Sequence, residues 1–250
     1  MSVRTSASAA VLRAETRLFA REPGTLFWVL AFPPLLLVAF GLVPGWREAS
    51  PEFGGRRMIE FFVPSTVLVA MITASLQAMP AALAGYRERG ILRRMRTTPA
   101  RPADLLMAQM ALHAVAALLA ASFVVTLGRL VFAISLPRNP PAYAATLALA
   151  VLAGLALGAV ITSVSRTARM ATATGMSIFF PAMFASGSYV PIQVLPETLR
   201  QIVEFTPFGA AAQALDQATL GSWPAWNHLT VLALWTVALL AAAARWFRWE

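Results

Sequence analysis

Six arginines stand in the nineteen residues from Tyr86 to Asp104, a stretch that reads YRERGILRRMRTTPARPAD. Leu92 and Met95 are three apart and Ile91 and Met95 four apart, so a helix over Gly85–Arg96 presents one short apolar face. Arg93, Arg94 and Arg96 flank that face, and Thr97-Thr98-Pro99 ends the helix. Apolar anchors ringed by arginine have the composition of a protein-binding hot spot. A solvated anchor needed only to set topology would require the charges, but not Leu92 and Met95.

Elsewhere the side chains that do chemistry are sparse. His113 is the one titratable group inside an apolar block, unless Arg129 lies deep, and a lone histidine in a helix bundle is more often packed than a proton relay. The eleven acids all lie outside the apolar blocks, with Glu60 and Asp104 at their edges; ion-coupled transporters usually bury acids or histidines mid-membrane. No HExxH, paired-carboxylate or Ser/His/Asp constellation occurs, so no catalytic, cofactor-binding or metal-ligating residue is expected. The absence of cysteine removes disulfides, thiolate metal sites and cysteine nucleophiles. All twenty basic residues are arginine, and a phosphate-binding GxxxxGK[ST] loop needs a lysine. If ATP drives this protein, ATP and Mg belong to a separate ATPase polypeptide, which needs a docking surface here.

The elements that must position these residues are membrane helices. The 250 residues are 58% hydrophobic and 12% charged, with mean hydropathy +0.67; soluble domains carry about twice that charged fraction. Six stretches run free of charge for membrane length: Pro23–Trp46, Phe61–Tyr86, Leu105–Gly128, Asn139–Ser165, Met170–Pro196 and Gln217–Ala244. Each exceeds the roughly 20 residues needed to cross hydrocarbon. Six spans put both termini on one side. Fourteen arginines fall on the side of the termini and the Tyr86–Asp104 loop, against six opposite, which predicts a cytoplasmic location for that side. The net charge of +9 is therefore matched to headgroups and a cytosolic partner rather than to nucleic acid.

Residues 8–22 read as an amphipathic helix, capped by Ser8 and stopped by Pro23. Val11, Leu12, Leu18 and Phe19 lie towards one side, with Arg13, Arg17 and Arg21 on another. It fits the headgroup layer; the alternative is a solvated leader. Pro33-Pro34, Pro80 and Pro181 predict kinks. Thr66, Thr73 and Gln77 share a face of the second span. Met176, Phe180 and Met183, with Thr172 one turn earlier, share a face of the fifth. A polar stripe opposite adaptable methionine and aromatic surface suits a bulky amphiphile; ordinary helix packing explains the same pattern. No internal repeat is visible, so the architecture of inverted-repeat transporters has no support.

Arg87-Glu88-Arg89-Gly90, then Leu92-Arg93-Arg94-Met95-Arg96-Thr97-Thr98-Pro99, resembles the signature loop of ABC-2 type permeases, especially the daunorubicin/doxorubicin drug-resistance group. A second match runs from Ser186-Gly187-Ser188-Tyr189-Val190-Pro191 through Leu195-Pro196 to Thr206-Pro207-Phe208. It is similar to the family's extracellular segment after the fifth span. Many relatives have two more residues before the leucine/arginine turn, so the register of the docking helix departs from theirs. The resemblance implies an all-α polytopic protein with a single transmembrane domain over 1–250 and an interfacial helix at 8–22. It implies spans at about 24–44, 60–84, 105–128, 142–165, 170–187 and 228–245, a coupling loop at 86–104 and short re-entrant extracellular helices at 188–209.

The same resemblance implies the permease subunit of an exporter in a bacterial cytoplasmic membrane. It would work as a homodimer or close heterodimer with two copies of a cytosolic ABC ATPase. Arg87, Glu88, Arg89, Gly90, Leu92, Arg93, Arg94, Met95, Arg96, Thr98 and Pro99 would couple to that ATPase. Gly187, Tyr189, Pro191, Leu195, Pro196 and Pro207 would shape the extracellular segment. The residues alone leave open an ATP-independent transporter or channel, and a structural or immunity membrane subunit.

Overall fold

An apolar backbone without water must pair its own amides, which leaves helix as the state for each long apolar stretch. The computed structural model describes residues 2–95 and 102–246, and the chain it shows is helical, with no strand among the described residues. The helices are α1 (Ser2–Phe19), α2 (Pro23–Gly41), α3 (Met58–Glu88), the short α4 (Ile91–Met95) and α5 (Pro102–Phe132). They continue with α6 (Pro140–Val164), α7 (Ala168–Ala185), α8 (Glu197–Glu204), α9 (Pro207–Leu220) and α10 (Trp226–Trp246). Among the described residues five of them, α2, α3, α5, α6 and α10, are long and apolar enough to cross a membrane. The sequence predicts six. The remaining candidate, α7, is 18 residues long and carries Arg169, Thr172, Thr174, Ser177 and Pro181, which dilute its apolar content.

The long helix α3 is the axis of the bundle. In its most apolar window 78% of residues are buried, against 28% in α2, 33% in α5 and 22% in α10. Around it pack α2, α5, α6 and α7, while α9 and α10 pack on α6.

The predicted kinks at Pro33-Pro34 and Pro80 take the form of π turns just ahead of the prolines, at Phe27–Ala31 and Ala74–Ala78. Proline lacks an N–H, so the carbonyl four residues earlier loses its donor. The backbone widens to absorb the mismatch: Phe32 N–H reaches back to Phe27 O, and Met79 N–H to Ala74 O. The carbonyls of Ser75 and Leu76 thereby lose their regular ladder donors. Two glycines pack against these same carbonyls. A methyl group on Gly158 of α6 would collide with Ser75 O, and one on Gly175 of α7 with Leu76 O. Pro181 lies inside α7, with no π turn before it.

The N-terminal helix differs from the sequence expectation. It begins at Ser2 and ends at Phe19, so Ser8 lies inside it, and Pro23 opens the next helix instead of stopping this one. Proline is tolerated at that first helical position because its missing N–H is not needed there. The face turned to the bundle is Ser8, Val11, Glu15 and Phe19, with Glu15 buried; Leu12 and Leu18 point outward at 41% and 48% exposure. A buried carboxylate with partners on two helices sets this rotation, in preference to the leucines.

Candidate functional site

Two cavities lie between α2, α3 and α7, and they meet at Trp28, Thr73 and Gln77. The one towards the arginine-rich end has a volume of about 680 Å³ and is lined also by Glu22, Thr25, Glu88, Arg89 and Thr172. The other, about 620 Å³, is lined also by Phe32, Leu36, Phe40, Met176, Phe179, Phe180, Met183, Ser188 and Tyr189. Each has the size of a small-molecule site. The first is mixed in charge; the second holds aromatic rings, methionines and hydroxyls and no charged group. The π turns place the junction: Trp28 lies in one, Gln77 in the other, and Thr73 directly precedes the second.

Six of the seven path residues expected from the sequence line this groove: Thr73, Gln77, Thr172, Met176, Phe180 and Met183. Gln77 Nε2 lies 3.6 Å from Met176 Sδ, joining α3 to α7. Thr66 does not line it. Every residue from Phe61 to Leu76 is buried, and the Thr66 hydroxyl donates to Phe62 O at 2.6 Å within its own helix. Trp28, Phe32 and Phe40 of α2 complete the groove and were not singled out from the sequence; the aromatic content of the first span is the signal that would have found them.

At the arginine-rich end, three consecutive residues of α3 reach three different elements, and Arg89 follows directly after them. The Tyr86 hydroxyl donates to Glu15 Oε2 of α1 at 2.8 Å. Arg87 Nη1 donates to Thr162 O at 3.1 Å and to Ser165 O, the open carbonyls at the end of α6. Glu88 Oε2 accepts from Ala168 N at 3.1 Å, the first amide of α7. The Arg89 guanidinium lies 5.4 Å from the Tyr86 ring centroid and lines the groove. Three turns of α1 are fixed in the same region. Gln109 Nε2 of α5 donates to Glu15 Oε2 at 2.6 Å, Ser8 Oγ to Asp104 Oδ1 at 3.0 Å, and Phe19 meets His113 edge-on at 5.3 Å. His113 is packed and buried, its Nδ1 2.8 Å from Gln109 O.

Gly90, at φ +69°, ends α3 in the left-handed region, where glycine carries no Cβ penalty, and the chain turns into α4. There Leu92 is 5% exposed and belongs to the chain's own core, with Ile91 and Met95 packed beside it. Glu88, Arg89 and Arg94 are the exposed residues of this turn. The anchors expected to grip a partner are thus turned inward, leaving the charges outward. Arg96, Thr98 and Pro99 lie outside the described residues, as does the side chain of Arg93.

The opposite end closes over the bundle with α8 and α9. Gly187 has φ +79° and packs where a Cβ would lie 3.1 Å from Ser65 Oγ. Pro191 leads into a short 3-10 turn at Ile192–Val194, and Pro196 into α8. Leu195 packs against the core, and half-exposed Tyr189 faces the groove. Thr206 caps α9 by accepting from Gly209 N at 3.1 Å, with Pro207 at its first position. The helix α9 runs to Leu220, where Gly221 ends it at φ +100°, and it carries Asp216 near its far end. Arg56 grips Asp216 with two bonds of 2.7 and 3.2 Å and stacks 4.0 Å over the Phe61 ring. This ion pair, 160 residues apart in sequence, was not visible in the sequence.

The chain from the docked α1 through the groove to α9 therefore forms one arrangement, and residues 7–220 match the family model described as ABC-2 type transporter. The chain belongs to the ABC-2 family. No individual curated protein matches it. The matched region contains the groove, Tyr86–Arg89, α4 and the Gly187–Pro207 segment, and it stops short of α10. As an ABC-2 membrane domain the chain is a multi-pass transport component and not itself a catalyst.

Proposed function

We propose that this ABC-2 permease is the membrane subunit of an ATP-binding cassette exporter, moving a hydrophobic or amphiphilic compound such as a drug, an antibiotic or a lipid-like molecule. The observation that carries the reading is the groove. It joins a chamber bearing Glu22, Glu88 and Arg89 to an uncharged chamber of aromatic and methionine side chains, as suits a molecule with a polar and an apolar part.

Membrane domains of this family typically pair with an ABC ATPase, and the exposed charges of Tyr86–Arg94 with the following loop are the docking face in this reading. Two copies of the ATPase bind ATP and Mg, and two permease protomers rock against each other. The helix α7 serves as a sixth span: at 1.5 Å per residue it reaches about 27 Å, close to the hydrocarbon thickness. Both termini are cytoplasmic in a bacterial inner membrane, and α8 and α9 are extracellular. Membership in the daunorubicin/doxorubicin resistance group rests on the two sequence motifs.

Thr73→Trp combined with Gln77→Trp tests the path. In the complex with its ATPase partner, the double variant should lower export of a hydrophobic dye from loaded vesicles by at least tenfold. Unchanged export would reject the groove as the path.

A further inference from the structure

We infer that Arg87 and Glu88 are positioning residues that lock the α6–α7 turn to the end of α3, so that motion of the docking turn is delivered to α7. The inference rests on the exporter reading above and extends it to the α6–α7 hairpin.

The two side chains address opposite ends of two helices. Arg87 donates to Thr162 O and Ser165 O, carbonyls left open at the C-terminus of α6, while Glu88 accepts the Ala168 N–H at the N-terminus of α7. Open helix ends leave such groups without partners inside the helix, and their partial charges are negative at the carbonyl end and positive at the amide end. A cation on the first and an anion on the second is the complementary arrangement. The connection between the two helices is only Ser165–Thr167, so both contacts hold one short hairpin.

Direct helix packing of the end of α3 on α6 and α7 runs beside this polar clamp. Mid-bundle, Gly158 and Gly175 let α6 and α7 lie directly on the Ser75 and Leu76 carbonyls of α3. At the arginine-rich end the Arg87–Glu88 pair makes the polar contacts to the turn. Gly90 and α4 follow within one turn of Glu88. In α7 the residues beyond the clamp are Thr172, Met176, Phe180 and Met183, all groove-lining. A displacement of α4 that carries the end of α3 is therefore passed to one wall of the groove through this packing, with Arg87 and Glu88 holding the turn in register.

The chain has no cysteine, so labels can be placed singly. Met107 of α5 and Met170 of α7 are exposed and outside the groove. Met107→Cys and Met170→Cys, spin-labelled in the permease–ATPase complex in nanodiscs, report the position of α7 by pulsed electron–electron resonance. Without nucleotide the parent should give one narrow distance distribution. Arg87→Ala with Glu88→Ala should broaden it, and Glu88→Gln, which keeps an acceptor oxygen, should leave it narrow.

With ATP and vanadate the parent distance should shift and the double alanine variant should lose that shift. An equally narrow distribution in the double alanine variant, or a full shift in it, overturns the inference. A parent that binds its ATPase but shows no shift counts against ATP-driven motion, and the nucleotide-free widths still decide the clamp.

Discussion

Glu15 and Asp216 show how single carboxylates fix this molecule at its two ends. Glu15 accepts from both Tyr86 and Gln109, so one side chain ties α1 to α3 and α5. Glu15→Ala leaves two buried donors unpaired, at a cost of about 1–3 kcal/mol. The purified permease should melt several degrees lower and α1 should become sensitive to limited proteolysis; Glu15→Gln should lose less. Asp216 is 7% exposed and its partner Arg56 is held on three sides, by the carboxylate, by Glu60 at 3.9 Å and by the Phe61 ring. Removing one member of such a pair strands the other, at about 3 kcal/mol. Asp216→Ala should therefore destabilise more than Arg56→Met with Asp216→Leu, which removes both charges; thermal unfolding of the three proteins in detergent decides it. Neither carboxylate was legible as an anchor. Each looks like a surface acid in sequence, and the partners that bury them include Tyr86, 71 residues from Glu15, and Arg56, 160 residues from Asp216.

At the scale of elements, the apolar runs located the five described helices long and apolar enough to cross a membrane, because hydrocarbon leaves the backbone no alternative. They did not reveal the π turns. Pro33-Pro34 and Pro80 mark where the ladder fails, but how the backbone absorbs the missing N–H depends on what packs against it. Helical spacing brought Thr73 and Gln77 of α3 and Thr172, Met176, Phe180 and Met183 of α7 onto faces that line one groove. Thr66 shares that spacing but is buried away from the groove, because helical spacing gives a face and not the neighbour that covers it. Leu92 and Met95 join the core of their own chain, which spacing alone does not reveal. The glycine contacts bear a direct test. Gly158→Ala pushes a methyl into Ser75 O, a backbone atom that cannot rotate away, and overpacking of this kind costs about 1–3 kcal/mol. Gly24→Ala, with nothing within 4 Å, should leave the melting temperature unchanged; equal effects of the two in a thermal-shift assay would show that α6 is not in close contact with α3.

For the whole molecule, the order of helices decides which surfaces meet water on which side. With α7 crossing, α1 and the α9–α10 connection lie on opposite sides of the membrane. A membrane-impermeant maleimide applied to intact cells should then label Trp223→Cys and spare Arg13→Cys until the cells are opened. Labelling of both, or of neither, before lysis would reject the six-span arrangement. The two glycine contacts also limit how such a molecule can move. Gly158 and Gly175 seat carbonyl oxygens where no side chain could fit, so α6 and α7 cannot slide along α3 without driving a neighbouring residue into those oxygens. Tilting about that level is the motion that keeps both contacts. Gly175 lies seven residues from Ala168 and ten from Ala185, about 10 and 15 Å at the helical rise. A fulcrum so placed reverses the direction of a push at the arginine-rich end and returns it about one and a half times larger at the far end, beside Tyr189.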